Sequence, residues 1–263
     1  MLDGLRLYLR YIGVSVRSQM QYPASFVMLS MGAFLITGVE FVGILALLHR
    51  FGSVGGWTLP EIALLYGMVH VAFSLSDATS RGFDAFASMI KSGEFDRLLL
   101  RPRSTALQLA GQELTLRRVG RFIMGMLVLL WATAHLDIAW SSAKLSLLAA
   151  SILGGACLFF GLIVLQATLA FWTTESLEIV NTVTYGGVET AQYPLTIYRP
   201  WFRKFFTAVI PLACVNYFPA LAILGRPAPF ALPWVSPLVG VAFLAMTLQV
   251  WQFGTRRYCS TGS

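Results

Sequence analysis

Apolar residues run along this chain in two rhythms. At the amino terminus they recur at helical spacing: Leu5, Tyr8, Leu9, Ile12 and Val16 share one face of a helix over residues 1–22, while Arg6, Arg10 and Arg17 fall largely elsewhere. A helix with that pattern lies in the headgroup plane and does not cross it. After Pro23 the chain turns apolar all round over about 24–48, 61–80, 119–136, 144–172 and 234–254. At 1.5 Å rise per residue such stretches match the roughly 30 Å of hydrocarbon in a bilayer. Two further segments are mixed. Residues 176–194 are long enough to cross but carry Glu178, Asn181, Glu189 and Gln192, and residues 205–224 are more apolar but interrupted by Pro211 and Pro219.

The placement of positive charge orients these segments. Arg81, Lys91, Arg97, Arg101, Arg103, Arg117 and Arg118 all fall in the connection between the second and third stretches. Such an excess marks the cytoplasmic side and puts the amino terminus there too. The loop HLDIAWSSA carries Asp137 and little positive charge, with Trp131 and Trp140 at its flanks, as an outer loop should. Arg256 and Arg257 close the last stretch on the inside, so six crossings are needed and only one of the two mixed segments is a full span. Counting Arg199, Arg203 and Lys204 as cytoplasmic favours the second segment; its prolines instead suit a broken, re-entrant element held inside protein. Composition leaves both open.

Composition sharpens the class. Hydrophobic residues make up 57% of the 263 and charged residues 12%, about half the charged share of a soluble domain. The expected fold is an all-α membrane protein with six transmembrane helices in a single domain over residues 1–263. The net charge of +7 raises nucleic acid as a partner, but the basic residues flank apolar segments and serve topology instead, so no nucleic-acid partner is expected. Cys157, Cys214 and Cys259 are scattered, giving neither a zinc site nor a disulfide framework. Asp3, Arg6 and Arg10 within the first apolar stretch argue against a cleaved signal peptide.

Catalytic signatures are missing. Lys91, Lys144 and Lys204 are the only lysines and none follows a glycine, so there is no phosphate loop. His49, His70 and His135 are solitary, and no catalytic residue, metal site or cofactor is expected in this chain. His70 and Asp77 stand two turns apart on one helical face, which allows either a proton relay or a packing hydrogen bond. Glu40 sits deep in the first span, where a carboxylate needs water or a partner: it either lines a pathway or bonds a neighbouring helix.

The segment SGEFDRLLLRPRS, 92–104, is the most charged part of the chain. Before it, Phe83, Phe86, Met89 and Ile90 recur at helical spacing and stop near Gly93. Glu94 and Asp96 then begin a second short turn, Leu98 and Leu99 give it an apolar side, and Arg101–Pro102 ends it. Two short rigid pieces with apolar anchors and a charged rim fit either a docking contact or a helix resting on anionic lipid.

SGEFDRLLLRP at 92–102 and YPLTIYRPWFRKFFTAVIPLACVNYFPA at 193–220 resemble the type-2 ATP-binding-cassette exporter permeases, in their bacterial six-span branch. The likeness covers essentially the whole chain. It implies a permease subunit of the bacterial cytoplasmic membrane with both termini inside, paired with a second permease (itself or a sister chain) and driven by a separate ATPase that binds ATP and Mg. It implies that 82–102 is a coupling helix docking on that ATPase, with Phe86, Ile90, Glu94, Phe95, Asp96, Arg97, Leu98 and Arg101 as its contacts. It also implies that 176–194 is the fifth span and 200–224 a re-entrant element. Glu40, Asn181, Tyr185 and Glu189 become candidates for the substrate path, for a small amphipathic, cationic or lipid-like cargo moved outward. The rival readings are an ion-gradient carrier using Glu40, His70 and Asp77, and a membrane-embedded enzyme acting on lipid.

Overall fold

The computed structural model describes residues 12–112, 118–173, 177–228 and 232–258, the side chains of 177–181 excepted. The expected helix over 1–22 is helical at 12–19, and residues 1–11 lie outside the described residues. Six long helices follow: α1 Pro23–Phe51, α2 Leu59–Thr79, α3 Val119–His135, α4 Ser142–Leu169, α5 Leu177–Ala191 and α6 Pro237–Arg257. Among the described residues there is no strand, only an isolated bridge between Val54 and Trp57 in the α1–α2 loop. The protein is an all-α membrane protein.

Local signals set the helix ends. Pro23 opens α1, and Gly52, at φ 74°, ends it by donating its N–H to the Leu48 carbonyl at 2.7 Å. Thr58 and Glu61 form a capping box on α2, the Thr58 N–H meeting Glu61 Oε2 at 2.8 Å. Ser141 caps α4 by accepting from the Lys144 N–H at 3.3 Å.

α2 is the central element, buried on every side from Ile62 to Ser74 between α3, α4 and the chain's last third. α1 leans on α3 and leaves Val27, Met28, Met31, Leu35, Ile36, Val39 and Val42 exposed. α6 lies along α4, and the two backbones meet at Gly154 and Gly240, where a Cβ on either would collide with the facing main chain. Close contact through small residues is how helices associate where lipid removes the hydrophobic drive.

Between α5 and α6 the chain forms a bent pair, Pro200–Val209 and Leu212–Leu224, turning by 73°. A π-type turn at Phe205–Val209 precedes the break at Pro211, which cannot continue a helix. Asn216 fastens the second arm by donating its side-chain amide to the carbonyls of Ala191 at 2.7 Å and Leu65 at 3.4 Å. Both ends of this segment meet the α1–α2 loop. Thr196 and Ile197 lie against Gly55, and Arg226 donates to the Gly56 carbonyl at 2.8 Å.

Helices occupy every segment expected to span. α1, α2, α4 and α6 are long and apolar enough to cross a membrane, and the bent pair would be a fifth crossing if it were one span. α3 is apolar but has 17 residues, and α5, with its polar positions, has 15.

Candidate functional site

The chain between α2 and α3 folds into a tight elbow. Helices Arg81–Asp84, Phe86–Lys91 and Glu94–Leu99 turn on one another, and Thr105–Gln112 runs back across the first. The second turn depends on Gly93, at φ 71° in the left-handed region that disfavours any side chain. Gly82 is seated on the Leu109 carbonyl, so the crossing of the first and last of these helices leaves no room for a Cβ. Gln108 closes the elbow by donating its amide to the carbonyls of Leu98 at 3.3 Å and Arg103 at 3.2 Å.

An aromatic cluster joins the elbow to the ends of α4 and α6. The Phe86 ring lies 4.7 Å from Trp251, 4.9 Å from Phe95 and 5.0 Å from Phe171, and Phe83 lies 5.3 Å from Trp251. Tyr258, just past α6, sits 5.1 Å from Phe95; burial and the Asp96 carboxylate beside it push its hydroxyl pKa up. Trp251 also donates its indole N–H to Thr105 Oγ1 at 3.0 Å.

This arrangement divides the residues expected to contact a partner. Phe86, Ile90, Phe95 and Leu98 are buried in the chain's own cluster, so their apolar side chains face the body of the molecule and not outward. Phe95 packs against Phe171 and Trp251, and Leu98 is buried in the same cluster. Glu94, Arg97 and Arg101 are exposed, Asp96 is half-buried, and Leu99 and Leu100 are exposed apolar residues on the same rim.

A second constellation lies within the bundle. Asp77 of α2 is buried and meets Arg118 Nε at 2.9 Å and, at 4.0 Å, Arg121 of α3. Arg121 also covers the Phe73 ring at 5.1 Å. Tyr66 donates to the Thr37 carbonyl at 2.6 Å, and its ring is 4.1 Å from that of His70. Neither ring nitrogen of His70 has a hydrogen-bond partner, so the two-turn spacing of His70 and Asp77 produces no bond between them.

Of the path candidates, Glu40 lies within electrostatic reach of Glu189 and Arg121, and one of its carboxylate oxygens is buried without a hydrogen-bond partner. Glu189 accepts from Gln192 at 2.8 Å, and Tyr185 stands edge-on to Phe73 at 5.5 Å. Glu40, Tyr185 and Glu189 thus belong to one neighbourhood with Arg121. The Asn181 side chain lies outside the described residues. Sequence reasoning missed Arg121, although a charge inside an apolar span signals a buried counter-charge. Among the described residues no three His, Cys, Asp or Glu side chains gather as metal ligands.

At the opposite end of the bundle Arg226 grips Glu61 through three contacts of 2.7–2.9 Å and lies 4.4 Å over the Trp57 ring.

The model of the ABC-2 family transporter proteins matches residues 34–262. No curated protein and no solved structure gives a significant match.

Proposed function

We propose, on the premise that the chain belongs to the ABC-2 transporter family, that it is the permease half of an ATP-driven exporter in a bacterial cytoplasmic membrane. Family membership makes it the transmembrane subunit of an ABC transporter and implies a separate ATPase subunit. The elbow is the coupling element: its rim of Glu94, Arg97, Leu99, Leu100 and Arg101 docks on the ATPase, which holds the ATP and Mg. One observation carries this reading. The apolar face of the elbow is locked by Phe83, Phe86 and Phe95 onto Trp251 and Phe171, so a force on the rim reaches the ends of α4 and α6 directly.

The chain itself has no phosphate loop and performs no chemistry. Closure of the ATPase dimer works on the permease pair through differential affinity for its two conformations. Six crossings, with α3 and α5 as the short ones and the bent pair as a re-entrant element, keep both termini cytoplasmic. Supporting re-entry, residues 196–197 and Arg226 touch the same α1–α2 loop. This topology leaves Arg199, Arg203 and Lys204 outside, against the positive-inside count.

Glu40, Tyr185 and Glu189 border the path between two permeases. Two carboxylates against the single charge of Arg121, among aromatic rings, leave a net negative neighbourhood that favours a small amphipathic cation. The test is purification of the tagged chain from its own membranes. A stoichiometric ATPase with vanadate-sensitive activity is expected, and Arg97→Glu with Leu100→Asp should abolish its recovery while insertion persists. Nucleotide-free transport by the chain alone in vesicles would overturn the proposal.

A further inference from the structure

A groove of about 740 Å³ lies beside the elbow, between helix Thr105–Gln112 and the facing surfaces of α4 and α6. Its floor is apolar, made by Leu107, Ala110, Phe160 and Leu248, and Arg103 and Arg256 stand at its lip. Size and composition fit a bound organic molecule, since ligand pockets are mostly apolar with a few placed polar groups. Among the described residues neither arginine makes an ion pair, whereas Arg118, Arg121 and Arg226 all do.

The surroundings say what would enter. α6 carries exposed Val241 two turns before Leu248 on the same face, and exposed Met246 and Phe253 on another, apolar side chains that suit hydrocarbon. Arg256 and Arg257 in the last turn of α6 mark the boundary with water. Leu248 lies eight residues before Arg256, about 12 Å deeper along the axis, close to the roughly 15 Å depth of one leaflet. Charge at the boundary and an apolar trough below it match a phospholipid in length and polarity. The two guanidiniums, without an ion pair among the described residues, select among phospholipids, because an anionic headgroup offers net charge that a zwitterionic one cancels internally.

We infer that this groove binds one anionic phospholipid from the leaflet at the carboxyl-terminal end of α6. The acyl chain lies along Leu107, Phe160 and Leu248, and the phosphate is held between Arg103 and Arg256. Bound there, the lipid bridges the elbow and α6 beside Trp251. The site depends only on the chain's residence in a membrane and stands apart from any ATPase or cargo.

The purified full chain, reconstituted in phosphatidylcholine nanodiscs, is photolabelled with trace photoactivatable phosphatidylglycerol or phosphatidylcholine, and crosslinked peptides are identified by mass spectrometry. The phosphatidylglycerol probe should label peptides bearing Leu107–Ala110 and Leu248–Gln252 well above the phosphatidylcholine probe. Arg103→Ala with Arg256→Ala should lower that labelling roughly 25-fold, at about fivefold per arginine near an anionic headgroup. The paired lysine substitutions should retain most of it. Leu248→Trp, which fills the floor and keeps both arginines, should reduce labelling by either probe. Equal labelling by the two probes overturns the inference, as does labelling indifferent to the paired alanine change. So does a groove that neither lipid reaches because another segment or protein covers it.

Discussion

Gly82 and Gly93 show how much single residues decide in the elbow. Gly93→Ala puts a Cβ on a left-handed backbone and should cost about 1 kcal/mol. Gly82→Ala pushes a Cβ into the Leu109 carbonyl, a backbone collision that should cost more, about 2 kcal/mol or above. Thermal unfolding of the two variants in one detergent checks the order. Asp84 offers a pH test. Burial, followed by the nearby Asp77, raises its carboxyl pKa against the opposing effect of Arg81. Its contribution to stability is therefore present below its unfolded pKa and lost as pH rises through the higher folded value. Asp84→Asn should leave stability at pH 7 unchanged or improved, and the wild type should gain on it as pH falls through the raised folded value towards about 4, with no further gain below that. The Arg81 contact at 3.5 Å is half-exposed and contributes little to oppose this. Position 93 was legible in the sequence as a turn. The ban on a side chain at 82 was not, because it comes from a helix more than twenty residues onward.

Helix by helix, the aromatic cluster determines whether the elbow is a rigid part or a loose strap. Trp251 is the hub, touching Phe83, Phe86, Phe95 and Phe171. Trp251→Ala should destabilise by about 3–5 kcal/mol and free the elbow, read as faster tryptic cleavage at Arg97 and Arg103 with α6 still inserted. Unchanged cleavage would mean the short helices hold themselves. The helix boundaries were readable because Pro, Gly and capping residues act within a few positions. Which face of 83–98 is satisfied internally was not readable, since Trp251 and Phe171 lie some seventy to 170 residues away. A separation of some forty residues likewise hid the partnership of Asp77 with Arg118, which read in isolation as loop charge, and with Arg121.

For the whole molecule, the proposed sidedness can be tested at the two ends. In a cysteine-free background, Ser53→Cys and Thr196→Cys should react with a membrane-impermeant thiol reagent from one face, and Leu100→Cys from the other. Thr196→Cys reacting with Leu100→Cys instead would make the bent pair a full crossing and restore the positive-inside count over Arg199, Arg203 and Lys204. Glu40→Gln should reduce transport by roughly tenfold or more while leaving assembly intact, if the Glu40–Glu189 neighbourhood carries a cation. Equal losses of transport and assembly would assign Glu40 to packing. Glu40, Tyr185 and Glu189, scattered along the chain, share one neighbourhood with Arg121 only because α1, α3 and α5 are brought around α2.

By itself the sequence determined that this is an all-α membrane protein, where its long helices lie, and that it carries no phosphate loop. Those properties depend on local composition, on runs of apolar residues matched to bilayer thickness, and on residues that start or stop helices within one turn. The tertiary structure decided which apolar face of the elbow is spent inside the chain, which arginines neutralise Asp77, and where the bent pair's two ends meet. Each of these depends on side chains far apart in sequence competing for the same partner, and that competition is resolved only when the helices are assembled.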